Sequence, residues 1–155
     1  MVNYPKRVEH GERIVDYNKI DDNIYIGTNQ CCQVHFDDNL LMLGITSDIS
    51  LEENRVDTPF GVESYLWLPT KDHTPPSADQ LQLGARYIKN LVEEGKMLYV
   101  HCKNGHGRAP TLVSAYYILT GKTADEAIAF VESKREGAHI EDVQKEALRE
   151  FERSQ

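Results

Sequence analysis

Between residues 78 and 94 the apolar positions Leu81, Ala85, Ile88 and Val92 recur every three or four residues, with charged and amide side chains between them. That spacing lines one face of a helix. Its ends are marked as well, by the capping-box pair Ser77 and Gln80 and by Gly95. Four shorter runs, rich in β-branched and aromatic residues, read as strands: 24 to 26 (IYI, closed by Gly27), 45 to 49 (ITSDI), 62 to 68 (VESYLWL) and 97 to 101 (MLYVH). The last is nearly all apolar, as a strand covered on both faces would be. Pro110 in a first turn and Gly121 past an end bracket a second helix, whose Leu112, Val113, Tyr116, Ile118 and Leu119 imply deep burial. Thr123 and Glu126 have capping-box spacing ahead of Ala127, Ile128 and Val131, and a final helix is predicted with Val143, Ala147 and Phe151 on one face. Strands alternating with helices, then a run of helices, predict an α/β fold. The expected architecture is a single small domain over residues 1–155, with a central, mostly parallel sheet of four to five strands and helices on both faces.

A chain of 155 residues can enclose one proper core, so two independent domains are not expected. The formal net charge of -8 argues against nucleic acid and anionic membrane surfaces as partners, so any bound anion must be captured locally. No apolar run approaches the roughly 18 to 20 residues that span a bilayer, and the opening MVNYPKRVEHGER has no apolar signal core. A cytoplasmic protein without stable membrane insertion is expected. The three cysteines, two of them adjacent at Cys31 and Cys32, make a poor disulfide framework and suit a reducing compartment.

Candidate chemistry is concentrated in VHCKNGHGRAPT, residues 100 to 111. A buried strand ends at His101, Cys102 follows, and Lys103, Asn104, Gly105, His106 and Gly107 separate that thiol from Arg108 at a helix start. Consecutive backbone N–H groups in such a loop can curl into a concave nest for phosphate oxygens, with Gly105 and Gly107 permitting positive φ and close approach of the main chain. The following helix aims its N-terminus at the same point. Arg108 supplies a planar fork for two phosphate oxygens, which lysine cannot imitate. The same positive field favours the thiolate of Cys102, which is expected at neutral pH and would attack phosphorus to give a cysteinyl-phosphate. An inert core cysteine beside a glycine turn would not require the arginine or the strand-to-helix placement. His101, Cys102 and His106 lack the paired spacing of structural zinc, and the chemistry calls for no metal and no cofactor.

The segment from His101 to Arg108 resembles the HC-x5-R signature of the cysteine-dependent protein tyrosine phosphatase superfamily, and the short chain resembles its dual-specificity branch. NIYIG, LLMLGITSDISL and YLWLPTKDHTPPS are similar to that family's opening strand, early helix-to-strand passage and general-acid loop. The resemblance implies a phosphotyrosine phosphatase-like fold, Cys102 as nucleophile, Arg108 as the phosphate and transition-state ligand, and Asp72 as general acid and then base. It implies phosphate binding by residues 103 to 107 and a supporting role for His101, which would set the loop's shape. Where most of the superfamily has Ser or Thr after the arginine, this chain has Ala109, in a GRAP sequence similar to the plant glucan phosphatases. Slow breakdown of the phosphoenzyme, or help from a group such as Asn104, is therefore expected.

The leading substrates are phosphotyrosine, with phosphoserine and phosphothreonine, in proteins. LPTKDHTPPS followed by HCKNGHGR is also similar to phosphatidylglycerophosphate and tensin-type lipid phosphatases, although His106 stands where HCKAGKGR patterns carry a second lysine. A phosphoglucan is a weaker alternative, and a pseudophosphatase that only binds phosphorylated partners conflicts with the presence of Cys102, Arg108 and Asp72 together.

Overall fold

The computed structural model describes residues 15–30 and 33–155, so Cys31 and Cys32 fall outside the described residues. Five strands form one sheet: β1 (Tyr17–Lys19), β2 (Ile24–Gly27), β3 (Ile45–Glu52), β4 (Ser64–Thr70) and β5 (Met97–His101). Their order is β1-β2-β5-β3-β4, with β1 antiparallel to β2 and every other pairing parallel. His101 at the end of β5 lies opposite both Gly27 on β2 and Ser50 on β3. Three strands thus deliver their C-terminal ends to one edge.

Alternation along the central strands divides the interior. Ile24, Ile26, Leu98 and Val100 face a large core, while Tyr25 and Tyr99 face a smaller one. The short helix α1 (Asp38–Met42) covers the smaller side through Leu40 and Phe36 before it. The larger side is covered by α2 (Ala78–Glu93), α3 (Arg108–Leu119), α4 (Ala124–Lys134) and α5 (Asp142–Arg153). Helices therefore lie on both faces, as expected, but unequally. Buried almost all round, α3 runs through the middle of that layer, against α2, α4 and α5.

Ser77 and Gln80 form the full capping box of α2, side chain to backbone in both directions. Thr123 caps α4 by accepting from the Glu126 N–H at 3.2 Å, but the Glu126 carboxylate takes the Thr123 hydroxyl (3.0 Å) instead of the cap amide. β1 was not expected, because YNK has no apolar pattern and the strand exists through its pairing with β2. β4 runs two residues later than expected and so ends at Thr70, whose carbonyl meets Arg108 at the end of the 102–107 loop. In α5 the buried face is Gln144, Leu148 and Phe151, and Val143 is 53% exposed. The helix is rolled by about one residue because Gln144 turns inward, where its amide bonds the Thr74 carbonyl (3.2 Å) and the Glu141 N–H (2.9 Å).

Candidate active site

Residues 102 to 107 carry the chain from β5 into α3. Each carbonyl from 103 to 107 is held from outside the loop. The Asn29 N–H donates to Lys103 O (3.3 Å) and the His139 N–H to His106 O (2.7 Å). Arg135 reaches Asn104 O with Nη2 (2.8 Å) and Gly105 O with Nε (3.1 Å), and the Thr111 hydroxyl donates to Gly107 O at 2.7 Å. In a trans peptide the N–H of the next residue points opposite to the carbonyl. Five outward carbonyls therefore turn the N–H groups of Asn104, Gly105, His106, Gly107 and Arg108 inward, which makes the nest an anion needs.

Only Gly105 of the two loop glycines has a positive φ, +71°, and a Cβ there would stand 2.5 Å from the Gly27 carbonyl oxygen. Gly107 instead takes φ -126° as the N-cap of α3, and what its missing side chain permits is contact with the Gln144 amide, 3.3 Å from where a Cβ would sit. The expected positive φ at Gly107 is thus corrected to close packing.

Arg135 is a site residue that sequence reasoning missed. Its side chain is fully buried, and its remaining donors meet Asn18 Oδ1 (2.8 Å) and Asp16 Oδ2 (3.3 Å) at β1. The unexpected first strand is what anchors this clamp. No periodicity or motif marks an arginine in the KREGAH turn, 30 residues from the loop it grips. Replacing it with methionine leaves the two carbonyls it holds without a partner, so Arg135→Met is expected to cost about 3 kcal/mol in urea unfolding and to lower kcat.

Arg108 is 3% exposed. Its Nη1 donates to Thr70 O at 2.9 Å and lies 3.6 Å from Glu52 Oε1, while its Nε makes no hydrogen bond among the described residues and is 3.5 Å from Asp72 Oδ1. Glu52 is desolvated by burial, which alone would raise its pKa, but hydrogen bonds from Asn29 and the Asn54 N–H, with the Arg108 charge, bring it below the usual carboxylate range. An ionised Glu52 fixes one end of the guanidinium and leaves the Nε edge toward the nest. Asp72 is more than half exposed, and its Oδ1 accepts the His73 N–H at 3.0 Å. His73, at φ +65°, reaches Glu141 Oε2 (3.2 Å), and Gln144 holds the Thr74 carbonyl. The loop that carries Asp72 is thus tied to the start of α5.

Cys102, 3% exposed, opens into a depression of about 200 Å³ together with Asp72, Lys103, Asn104, His106, Gly107 and Arg108. Burial, then the Arg135 charge, lowers the pKa of His106, which favours a neutral imidazole on that wall. An adjoining cleft of about 690 Å³ shares Asp72, Lys103, Asn104 and Arg108. Ala109 is fully buried, and the nearby Thr111 hydroxyl is committed to Gly107 O. His101 lies behind the thiol, fully buried, with Nδ1 2.8 Å from Asn29 Oδ1. Every residue assigned to the site from the sequence lies on these walls or directly behind them.

The model of the dual specificity phosphatase catalytic domain matches residues 24–154. A human protein, phosphatidylglycerophosphatase and protein-tyrosine phosphatase 1, is 39% identical over 93 residues, 59% of this chain and 46% of its own length. An Arabidopsis thaliana protein, phosphatidylglycerophosphate phosphatase PTPMT2, is 35% identical over 94 residues, 59% of this chain and 41% of its own. Each alignment thus spans less than half of the relative. Among solved structures, PTPMT1 in complex with PI(5)P superposes with a TM-score of 0.75 at 26% identity, covering 89% of this chain and 95% of that one. With the family model spanning nearly all of the described chain, and the sheet, loop and helices arranged as above, the protein belongs to the dual specificity phosphatase branch of the cysteine-dependent protein tyrosine phosphatases.

Proposed function

We propose that the protein hydrolyses phosphomonoesters through a cysteinyl-phosphate on Cys102. The observation that carries this reading is the convergence of a thiol, five inward N–H groups and an Arg108 Nε without a hydrogen-bond partner among the described residues in one small depression. Such donors fit three equatorial phosphoryl oxygens and strengthen as charge spreads over them in the transition state. Sγ attacks phosphorus in line, the bond to the alcohol oxygen breaks, and the Asp72 carboxyl gives its proton to that oxygen. Water then attacks phosphorus, Asp72 takes its proton, and the S–P bond breaks to return the thiolate and inorganic phosphate.

The wider cleft favours a hydroxyl-rich, anionic alcohol. Its walls include Thr28, Asn29, Gln30, Asn54, Arg55 and Lys103, all hydrogen-bonding or charged, with no aromatic side chain among the described residues of its lining to stack on a tyrosyl ring. A phosphorylated headgroup such as that of phosphatidylglycerophosphate fits this chemistry, and the names of the human and Arabidopsis thaliana relatives support it. Phosphotyrosine, with phosphoserine and phosphothreonine, in proteins is the second reading, supported by the family's description and by the second half of the human relative's name.

The test is release of phosphate, in EDTA, from p-nitrophenyl phosphate and then from phosphatidylglycerophosphate, phosphoinositides, phosphoglucan and phosphotyrosyl and phosphothreonyl peptides. Hydrolysis of none of them overturns the enzyme reading, and a preference for peptides overturns the headgroup reading. Asp72→Asn is expected to lower kcat about 100- to 10,000-fold on an alkyl phosphate, where the leaving oxygen needs a proton, and far less on p-nitrophenyl phosphate. Equal losses on both would remove Asp72 from this role.

A further inference from the structure

Directly behind the loop, three buried side chains of the acid and imidazole type crowd together. Asp48 on β3 and His101 on β5 are fully buried, and Asp57, in the connection to β4, is nearly so. His101 Nε2 stands 3.1 Å from Asp48 Oδ1 and 3.8 Å from Asp57 Oδ2. Asp57 has a cation of its own, because Arg55 Nε meets its Oδ1 at 2.8 Å. Asp48 does not: neither of its carboxylate oxygens, nor His101 Nε2, has any hydrogen bond among the described residues beyond this close approach.

Two bare acceptors would repel at 3.1 Å in a fully buried site, so one proton must lie between them. The other ring nitrogen is already defined. Asn29 Nδ2 donates to Glu52 Oε2 at 3.0 Å, which turns Asn29 Oδ1 toward His101 Nδ1 (2.8 Å) as an acceptor and requires the proton on Nδ1. Glu52 in turn faces Arg108 with its other oxygen, 3.6 Å away. Tyr99 stacks on the imidazole, centroids 5.5 Å apart, and its hydroxyl is anchored on Thr28 O at 2.6 Å, so the ring cannot turn.

We propose that Asp48 is a positioning residue for the phosphate-binding arginine: it shares a buried proton with His101, and the polar chain His101, Asn29, Glu52 transmits that fixed orientation to Arg108. Burial raises the carboxyl pKa of Asp48, with His101 opposing, which is consistent with a proton held by the pair. The chain has one direction: His101 donates to Asn29, Asn29 donates to Glu52, and Glu52 is ion-paired with the guanidinium at 3.6 Å. Its members polarise one another, so that loss at the far end is felt at the anion site. The same three side chains have the spacing of a metal site. A metal is not needed for neutrality, because Arg55 balances Asp57 and the shared proton balances Asp48.

The inference rests on the hydrolase reading for the role of Arg108, but the shared proton can be tested without turnover. A proton NMR spectrum of the intact protein should show one exchange-protected resonance well downfield of the amide region, retained in Cys102→Ser and lost in Asp48→Asn. Its absence from the parent overturns the inference and leaves the hydrolase reading untouched. A stoichiometric bound metal in the purified protein overturns it too. On p-nitrophenyl phosphate, Asp48→Asn and Glu52→Gln should each lower kcat/KM about tenfold, and the double variant should lose about tenfold as well, because both cut one chain. A double loss near the product, about a hundredfold, shows independent sites and overturns the relay. Should Asp48→Asn not fold, Asn29→Ala takes its place: it must shift the downfield resonance and lower kcat/KM, and an unmoved resonance overturns the proposal.

Discussion

Replacing Cys102 with serine lowers turnover of p-nitrophenyl phosphate by at least about four orders of magnitude while leaving the fold and oxyanion capture in place. The change exchanges one sulfur for one oxygen at a position with 3% exposure, packed in the main core. Little buried volume is opened, because oxygen is only somewhat smaller than sulfur. The inward amides and Arg108 keep their geometry, because what holds them is Arg135, Thr111, Asn29, His139, Thr70 and Glu52, none of which touches the thiol through these bonds. What disappears is the proposed nucleophile. A serine hydroxyl is protonated at neutral pH, and among the described residues no hydrogen-bonding base is paired with position 102. Stopped-flow and steady-state assays, with calorimetric titration of a phosphorylated ligand and a thermal melt, separate the outcomes. The variant should bind, melt close to the parent and not turn over. Residual activity above about one per cent would mean that phosphate leaves by direct attack of water, and the covalent route would fall.

The loop and the large helices were legible in the sequence because their signals are local. Ser77, Gln80 and Gly95 mark α2 whatever surrounds it, and the Cys102 to Arg108 spacing carries the family resemblance within seven residues. What was not legible depends on distant partners. Arg135 and Asp48 are polar residues in stretches that read as a turn and a strand, and their contacts exist only once β1, β3 and β5 bring Asn18, His101 and the loop carbonyls to them. The face of α5 was misjudged for the same reason. Hydropathy favours Val143, but Gln144 earns its interior place through bonds to Thr74 and Glu141, which periodicity does not register. β1 shows the limit from the other side, since a three-residue polar strand is created by its neighbour and has no pattern of its own.

Arg108→Lys is expected to lower kcat about a thousandfold and to raise KM only a few-fold, although charge is conserved. In the parent, Nη1 is spent on Thr70 O at 2.9 Å and approaches Glu52, so the guanidinium is held at one end by the protein and offers its Nε edge to the anion. A lysine has one ammonium for both duties. If it stays with Thr70 and the ionised Glu52, the substrate loses its donor. If it turns to the substrate, the Thr70 carbonyl and a buried carboxylate are left without their partner. Either way the net positive charge remains near the depression, which preserves much of the ground-state attraction and keeps KM low. The planar pair of donors, which gains most as the phosphoryl group flattens, cannot be recovered. Steady-state kinetics on p-nitrophenyl phosphate, at fixed ionic strength, read the split directly. A loss that falls mainly on KM would show that Arg108 serves capture and not the transition state. A loss below about tenfold in kcat would show that the five amides stabilise the phosphoryl oxygens without it.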